Sequence, residues 1–236
     1  MNEFRPNRFE VLPVIIKNLL IINGLVFFAQ YVNEQQIWLQ FDNLFALHTF
    51  QSQYFKPWQF ITHMFMHGSF SHLLSNMFAL WMFGSILENI WGPKRFLLFY
   101  LTCGFGAALC HMTVLYFENA SLLKEYYAIN PLSVDYDKVV YVVQARLNQA
   151  TVGASGAVFG CLAAFGYLFP NTRIYIYFLI PLKAKWFVIL YALMELSLAI
   201  QNSAGDNIAH FAHLGGALFG FLLVFFWNKT NNRTFY

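Results

Sequence analysis

Three short stretches place polar side chains inside otherwise apolar sequence: HGSFSHLLSN (67–76), TVGASGAVFG (151–160) and IAHFAHLGGALFG (208–220). Ser155 lies between Gly153, Ala154, Gly156 and Ala157. A serine hydroxyl becomes a nucleophile for acyl transfer when a base stands within about 3 Å. A helix beginning near Gly153 would leave backbone N–H groups unpaired in its first turn. Such donors suit a developing oxyanion. His213, Gly216 and Gly220 fall at i, i+3 and i+7 and share one helical face. The two glycines would let that helix pack closely on the small residues around Ser155, with His213 beside the serine as base. His72 and Asn76, at i and i+4, also share a face. Both can donate hydrogen bonds from their side chains, which fits an oxyanion hole completed by a backbone N–H of Ser155 or Ala154. Spacing alone also fits a blander reading. Small residues at three- and four-residue intervals promote helix packing, and Asn76 would serve equally as an interhelical contact. His210, one turn nearer the outer surface, reads as a hydrogen-bonded packing residue. His63 and His67 either stabilise the loop entry or line a water-accessible pocket.

These side chains need elements to hold them, and the composition says which kind. Of 236 residues, 58% are hydrophobic, 20% aromatic and 11% charged. A soluble domain carries about 25% charged and about 45–50% apolar residues. The balance excludes an ordinary cytosolic enzyme, a disordered chain and a nucleic-acid binder. Apolar runs cover about 13–32, 68–90, 95–116, 151–169, 185–202 and 207–228. Each is near the length of about 20 residues that a membrane helix needs. The expected fold is therefore an all-α polytopic bundle of six transmembrane helices. An N-terminal arm (1–12) and a C-terminal tail (229–236) would flank a six-span domain (13–228). No small-residue cleavage pattern follows the first span, so a cleaved signal peptide is not expected. Cys103, Cys110 and Cys161 fall inside spans and imply no disulfide framework.

Charge placement orients the bundle. With the N-terminus cytoplasmic, the inner segments hold ten of the 14 Lys and Arg residues: Arg5, Arg8, Lys17, Lys94, Arg95, Arg173, Lys183, Lys185, Lys229 and Arg233. The outer segments hold Lys56, Lys124, Lys138 and Arg146. The bias follows the positive-inside rule and sets both termini in the cytoplasm. The polar sets then lie in the second, fourth and sixth spans, all entering from the outer face. Each set lies within about two turns of its span's start, roughly 5–10 Å deep at 1.5 Å per residue. Polar groups inside spans point to function, and here three distant sets converge on one depth. In the first outer loop (33–66), Ile37, Trp38, Leu39, Phe41, Leu44 and Phe45 predict short interfacial helices, with Trp38 and Trp58 at headgroup level. The second (117–150) is more polar, and 138–148 reads as a short strand or amphipathic turn.

The set HGSFSHLLSN, GASG (153–156) and AHLGGALFG (212–220), in that order on six spans, resembles the rhomboid intramembrane serine proteases in their six-span bacterial form. The resemblance covers about residues 13–228. It implies a six-helix bundle with a Ser–His dyad in a water-filled cavity open to the outer face. Carried over, Ser155 looks like the nucleophile, His213 the general base and acid, and His72 and Asn76 the oxyanion-stabilising side chains. Glu88, before the WGPKR turn, resembles the acid that the family carries at the inner end of the second span. The family needs no acidic third member, and no carboxylate is evident near His213. The implied partners are transmembrane protein substrates, docking at the second and fifth spans, and membrane lipid. Neither cofactor, metal nor nucleic acid is implied, and a bacterial inner (plasma) membrane is the expected location. The loop QNSAGDN (201–207) and the fifth span would gate the cavity. Two departures stand out. Trp58-Gln59 replaces the frequent Trp-Arg, and Phe159 replaces the frequent Tyr, keeping a ring and losing a hydroxyl.

Three rivals are weighed against this reading. An inactive relative that binds transmembrane helices would usually lack the serine or histidine. A metal or haem protein could use the ligand-like spacing of His63/His67 or His210/His213, but no carboxylate lies beside either pair within its span. A small transporter would show repeated halves and broken helices near midplane, which are not apparent.

Overall fold

The computed structural model describes residues 9–36, 40–176, 180–201 and 209–231. Its helices follow the apolar runs. They are α1 (Val14–Gln36), α2 (Phe41–Phe45), α3 (Gln59–Thr62), α4 (Phe70–Ala79), α5 (Ser85–Trp91), α6 (Pro93–Ala128), α7 (Tyr136–Leu147), α8 (Ser155–Leu168), α9 (Ala184–Gln201) and α10 (His210–Asn231). A π-helical segment, Leu80–Gly84, joins α4 to α5, so the pair forms one continuous span. Among the described residues, five helices are long and apolar enough to cross a bilayer, and α8 is a shorter apolar one. The protein is a multi-pass α-helical membrane protein.

Each departure from the expected boundaries has a local cause. The first four residues of the expected fourth span lie outside the helix. Thr151 forms an antiparallel bridge with Leu47, and the Gly153 N–H donates to the His63 carbonyl at 2.9 Å. Those bonds hold the chain out of the helix until Ser155. Helix α6 continues to Ala128, about 54 Å at 1.5 Å per residue, and so extends beyond a hydrocarbon core of about 30 Å. Residues 138–148, expected as a strand or turn, instead lie mostly in α7, a helix of three turns. The Val and Tyr of KVVYVV favour a strand locally. Among the described residues no strand lies beside it to pair with, and its backbone groups are satisfied within the helix. Between α8 and α9 lies an antiparallel pair, β1 (Arg173–Ile176) and β2 (Ile180–Lys183), with Arg173 opposite Lys183.

The core sits between α8, α10, α6 and the α4–α5 span. Leu80, Phe83, Leu87, Phe96, Tyr100, Cys103, Ala157, Cys161 and Phe165 form its centre. At one end Glu88 is buried and accepts the N–H groups of Ile15 (2.8 Å) and Ile16 (2.9 Å), a carboxylate cap on the first turn of α1. At the opposite end the connection between α2 and α3 is stitched to residues 147–151. Leu47 and Thr151 exchange backbone hydrogen bonds, and the Thr49 hydroxyl donates to the Leu147 carbonyl at 3.1 Å. Gln59 is completely buried at the centre of this connection. Its amide donates to the carbonyls of Asn43 (3.0 Å) and Tyr54 (2.9 Å), and its oxygen accepts from the N–H of Lys56 (3.1 Å) and His48 (3.3 Å). The glutamine at this departure from the family pattern thus pins the loop with both ends of its amide. The Trp58 indole donates to the Leu44 carbonyl at 2.8 Å and remains half exposed. Trp38 and residues 202–207 of the expected gating loop lie outside the described residues.

His63 and His67 occupy a 3-10 turn and the coil after it, before α4, so they do not share a helix face. The His63 Nδ1–H donates to the Gln59 carbonyl at 2.8 Å. His67 is tied through its backbone to the Gln30 side chain, by an N–H to Oε1 bond of 3.0 Å. Burial pushes both imidazoles down to about 4, with His72 beside His67 as a further cause there. Both are therefore neutral in the folded protein. The unfolded chain takes up their protons below about 6.5, so stability is full above that pH and falls between about 6.5 and 4. At 1.36 kcal/mol per pH unit the loss is at most about 3 kcal/mol per histidine. The thermal midpoint in detergent should be flat from pH 7 to 8 and drop by several degrees at pH 5. His63→Gln, which keeps the donor and cannot titrate, should flatten part of that drop.

Candidate active site

Ser155 is the first residue of α8, and no side chain caps that helix. The first i→i−4 bond of the helix runs from the Val158 N–H to the Ala154 carbonyl at 3.1 Å. The N–H groups of Ser155, Gly156 and Ala157 therefore precede the helical ladder and point from its positive end. Gly153 sets the entry angle with φ +134°, a conformation that side-chain-bearing residues rarely adopt. A Cβ there would also stand 2.9 Å from Cε1 of the His72 ring.

His213 lies in the first turn of α10. The Ser155 Oγ is 2.9 Å from its Nε2. The close approach of α8 and α10 comes from their glycines. A Cβ on Gly216 would collide with the Gly156 carbonyl, and one on Gly220 with the Gly160 backbone. The small residues thus pack the helices and, by doing so, bring the serine to the histidine. The Phe159 ring stacks on the His213 imidazole, with centroids 4.3 Å apart and planes 5° from parallel. The face contact expected of the ring at this departure is present without a hydroxyl.

His72 and Asn76 stand on α4, whose N-cap Ser69 accepts the His72 N–H at 3.1 Å. The His72 ring borders Gly153 and packs edge-on against His67, with centroids 5.1 Å apart. Asn76 is buried, and its amide nitrogen has no hydrogen-bond partner among the described residues. A buried amide donor without an acceptor costs about 1–3 kcal/mol and indicates a group reserved for another partner.

One residue corrects the sequence expectation that no carboxylate lies near His213. Glu195, on α9, is buried, and its Oε2 accepts from the Nδ1–H of His213 at 2.9 Å and of His210 at 2.6 Å. A carboxylate only accepts, so the proton of neutral His213 sits on Nδ1 and the Nε2 lone pair faces the serine. Glu195 is the sole acid in the fifth apolar run. An ionisable side chain in a span is itself a signal of function, and that signal identifies it from sequence. The acid escapes the depth-counting that picks out the other groups, because it is neither in an even-numbered span nor near its own span's start. Lying near the far end of α9, it reaches the same depth from the opposite direction.

Glu195, His210 and His213 also form a group of ligand-type atoms within 4.8 Å of one another. The absence of a carboxylate within the histidine pair's own span was therefore no argument against a metal. The group's nitrogen-to-oxygen separations of 2.6 and 2.9 Å are those of direct hydrogen bonds. Beside His210 opens a cavity of about 90 Å³, lined also by Thr49, His111, Glu118, Arg146 and Thr151.

Comparison with known proteins shows the family of the chain. The rhomboid domain family model matches residues 54–229. The chain belongs to the rhomboid family. Its rhomboid relatives include the mitochondrial rhomboid protein 1 of Saccharomyces cerevisiae, 28% identical over 165 residues, 70% of this chain and 40% of the relative. The chloroplastic rhomboid-like protein 11 of Arabidopsis thaliana is 30% identical over 205 residues, 79% of this chain and 57% of the relative. The rhomboid protease AarA of Providencia stuartii is 27% identical over 215 residues, covering 87% of this chain and 69% of the relative. The chain spans about half the length of the first curated rhomboids it matches.

Proposed function

We propose that this rhomboid is an intramembrane serine endopeptidase that cleaves transmembrane segments of other proteins. The observation that carries the reading is the 2.9 Å contact between Ser155 Oγ and His213 Nε2. In the proposed reaction His213 takes the Ser155 proton as the oxygen attacks a peptide carbonyl. The tetrahedral oxyanion accepts hydrogen bonds from the Asn76 amide, from His72 and from the first-turn N–H groups of α8. His213 then protonates the leaving amine. A water, activated by the same imidazole, releases the acyl-enzyme. The cavity beside His210 has volume for about three waters at about 30 Å³ each, and suits their supply.

The orientation belongs to the same proposal. Ten of 14 Lys and Arg residues fall on the segments opposite the site, so both termini face the cytoplasm and cleavage occurs near the outer face. An inner membrane is the expected setting in a bacterium. Substrates are transmembrane helices that unwind locally beside α4 and α9. The decisive experiment is cleavage of a transmembrane reporter by purified protein in detergent, with labelling of Ser155 by a fluorophosphonate. An inactive, helix-binding relative would do neither.

Asn76→Ala tests the oxyanion assignment. One donor of several is removed, so kcat should fall about 10²-fold while KM changes little. A variant that instead fails to fold would make Asn76 an interhelical contact.

A further inference from the structure

We propose that Glu195 is a positioning residue for His213, making the site a Ser155–His213–Glu195 relay rather than a dyad. The inference rests on the protease reading above and deepens it. Three observations converge. The Glu195 Oε2 lies 2.9 Å from Nδ1 of His213, whose Nε2 lies 2.9 Å from Ser155. Serine, imidazole and carboxylate are thus linked in the order that holds a general base in one tautomer and stabilises the imidazolium it becomes. The second observation is where α9 is buried. Only Ala184 and Glu195 are buried on this helix, while Leu190, Leu193, Met194 and Ile200 are exposed. A loosely packed apolar helix therefore directs one ionisable side chain inward, against the cost of placing a carboxylate within a span. The third is His210, whose Nδ1–H reaches the same oxygen at 2.6 Å. Two N–H donors on one oxygen fix the rotation of the carboxylate and compensate its charge.

The ring behind the histidine, Phe159 of α8, is itself backed by α9. Tyr191, one turn before Glu195, packs on Phe159 with centroids 4.9 Å apart, and Phe159 stacks on His213. Helix α9 therefore supports His213 directly, through a carboxylate at Nδ1, and indirectly, through Tyr191 packed against the α8 ring that lies on its face. This limits how the site opens. A gate made by swinging α9 outward withdraws the carboxylate from the base. Substrate entry and orientation of His213 are then coupled, and catalysis requires α9 to return after the substrate has docked.

The test uses the full-length protein in detergent, with active enzyme counted by fluorophosphonate titration. Glu195→Gln, nearly isosteric, should lower kcat about 10²-fold with KM within about twofold. Glu195→Leu should lower kcat at least as far while leaving the thermal midpoint equal or higher, because it removes a buried charge without opening space. A purely structural Glu195 gives the reverse, a lowered midpoint with unchanged kcat per active site. Proton NMR of wild type labelled at histidine should show a far-downfield Nδ1–H resonance that His213→Ala removes and Ser155→Ala retains. Wild-type kcat in either folded Glu195 variant overturns the inference, as does absence of that resonance. Should wild type show no Ser155-dependent cleavage, the protease reading fails. The resonance still reports the Glu195–His213 pair independently.

Discussion

Ser155→Ala should reduce cleavage of a transmembrane reporter to background, a loss of at least about 10⁴-fold, and abolish fluorophosphonate labelling. The hydroxyl is the one atom group at this site that can form an acyl-enzyme, and a methyl in its place fits without strain. Fold and thermal midpoint should therefore stay unchanged. His213→Ala should be equally inactive. Its Nε2 is 2.9 Å from the hydroxyl, the hydrogen bond through which a base can take the serine proton. The two losses should not add. Serine and base act in one step, so the double variant should be no slower than either single one. Normal turnover in Ser155→Ala would sink the nucleophile assignment. Additive losses would separate the two residues into different steps.

The second large effect is expected far from any reacting atom. Gly216→Ala adds one methyl where the Gly156 carbonyl already stands. The obstacle is backbone, so neither helix can yield by turning a side chain. The cheapest response is separation of α8 from α10. Ser155 is the residue before Gly156, and His213 lies three residues before Gly216. Moving the helices apart by about 1 Å stretches the Ser155–His213 contact beyond hydrogen-bond length, and misplacement of that size costs about 10²-fold in rate. The thermal midpoint should fall by several degrees as well. Gly24→Ala makes the control, since its Cβ would meet nothing within 4 Å, and both rate and midpoint should match wild type. A Gly216→Ala protein with wild-type activity would show that the helices hold the dyad less rigidly than their packing implies.

Much of the site is legible in the chain because membrane sequence is so restricted. Where nearly every residue in a span is apolar, Ser155, His72, Asn76 and His213 stand out by type, and counting residues from the span ends aligns their depths. The glycines at 216 and 220 are readable for the same reason, as helical periodicity ties them to His213. Glu195 shows the limit of that procedure. Its type was visible, yet its partners are 15 and 18 residues away on another helix. Nothing in the spacing along α9 states which face turns inward. The 138–148 segment shows a second limit. Its composition favours a strand, but a strand needs a neighbour, and whether one exists is not a local property.

The sequence by itself determined that this is a multi-pass helical membrane protein of the rhomboid family, and which side chains could do chemistry. Hydrophobicity in runs of about 20 residues is a one-dimensional quantity, and so is the order of the motifs. Only the tertiary structure decided that the chain stays out of the helix until Ser155, that Gln59 pins the first connection, and that α9 brings a carboxylate to the histidine. Each of these depends on hydrogen bonds that spacing along the chain does not announce, such as Thr151 to Leu47, Gln59 to Asn43 and Glu195 to His213. The packing of α8 on α10 at their glycines sets the distance at which Ser155 and His213 meet.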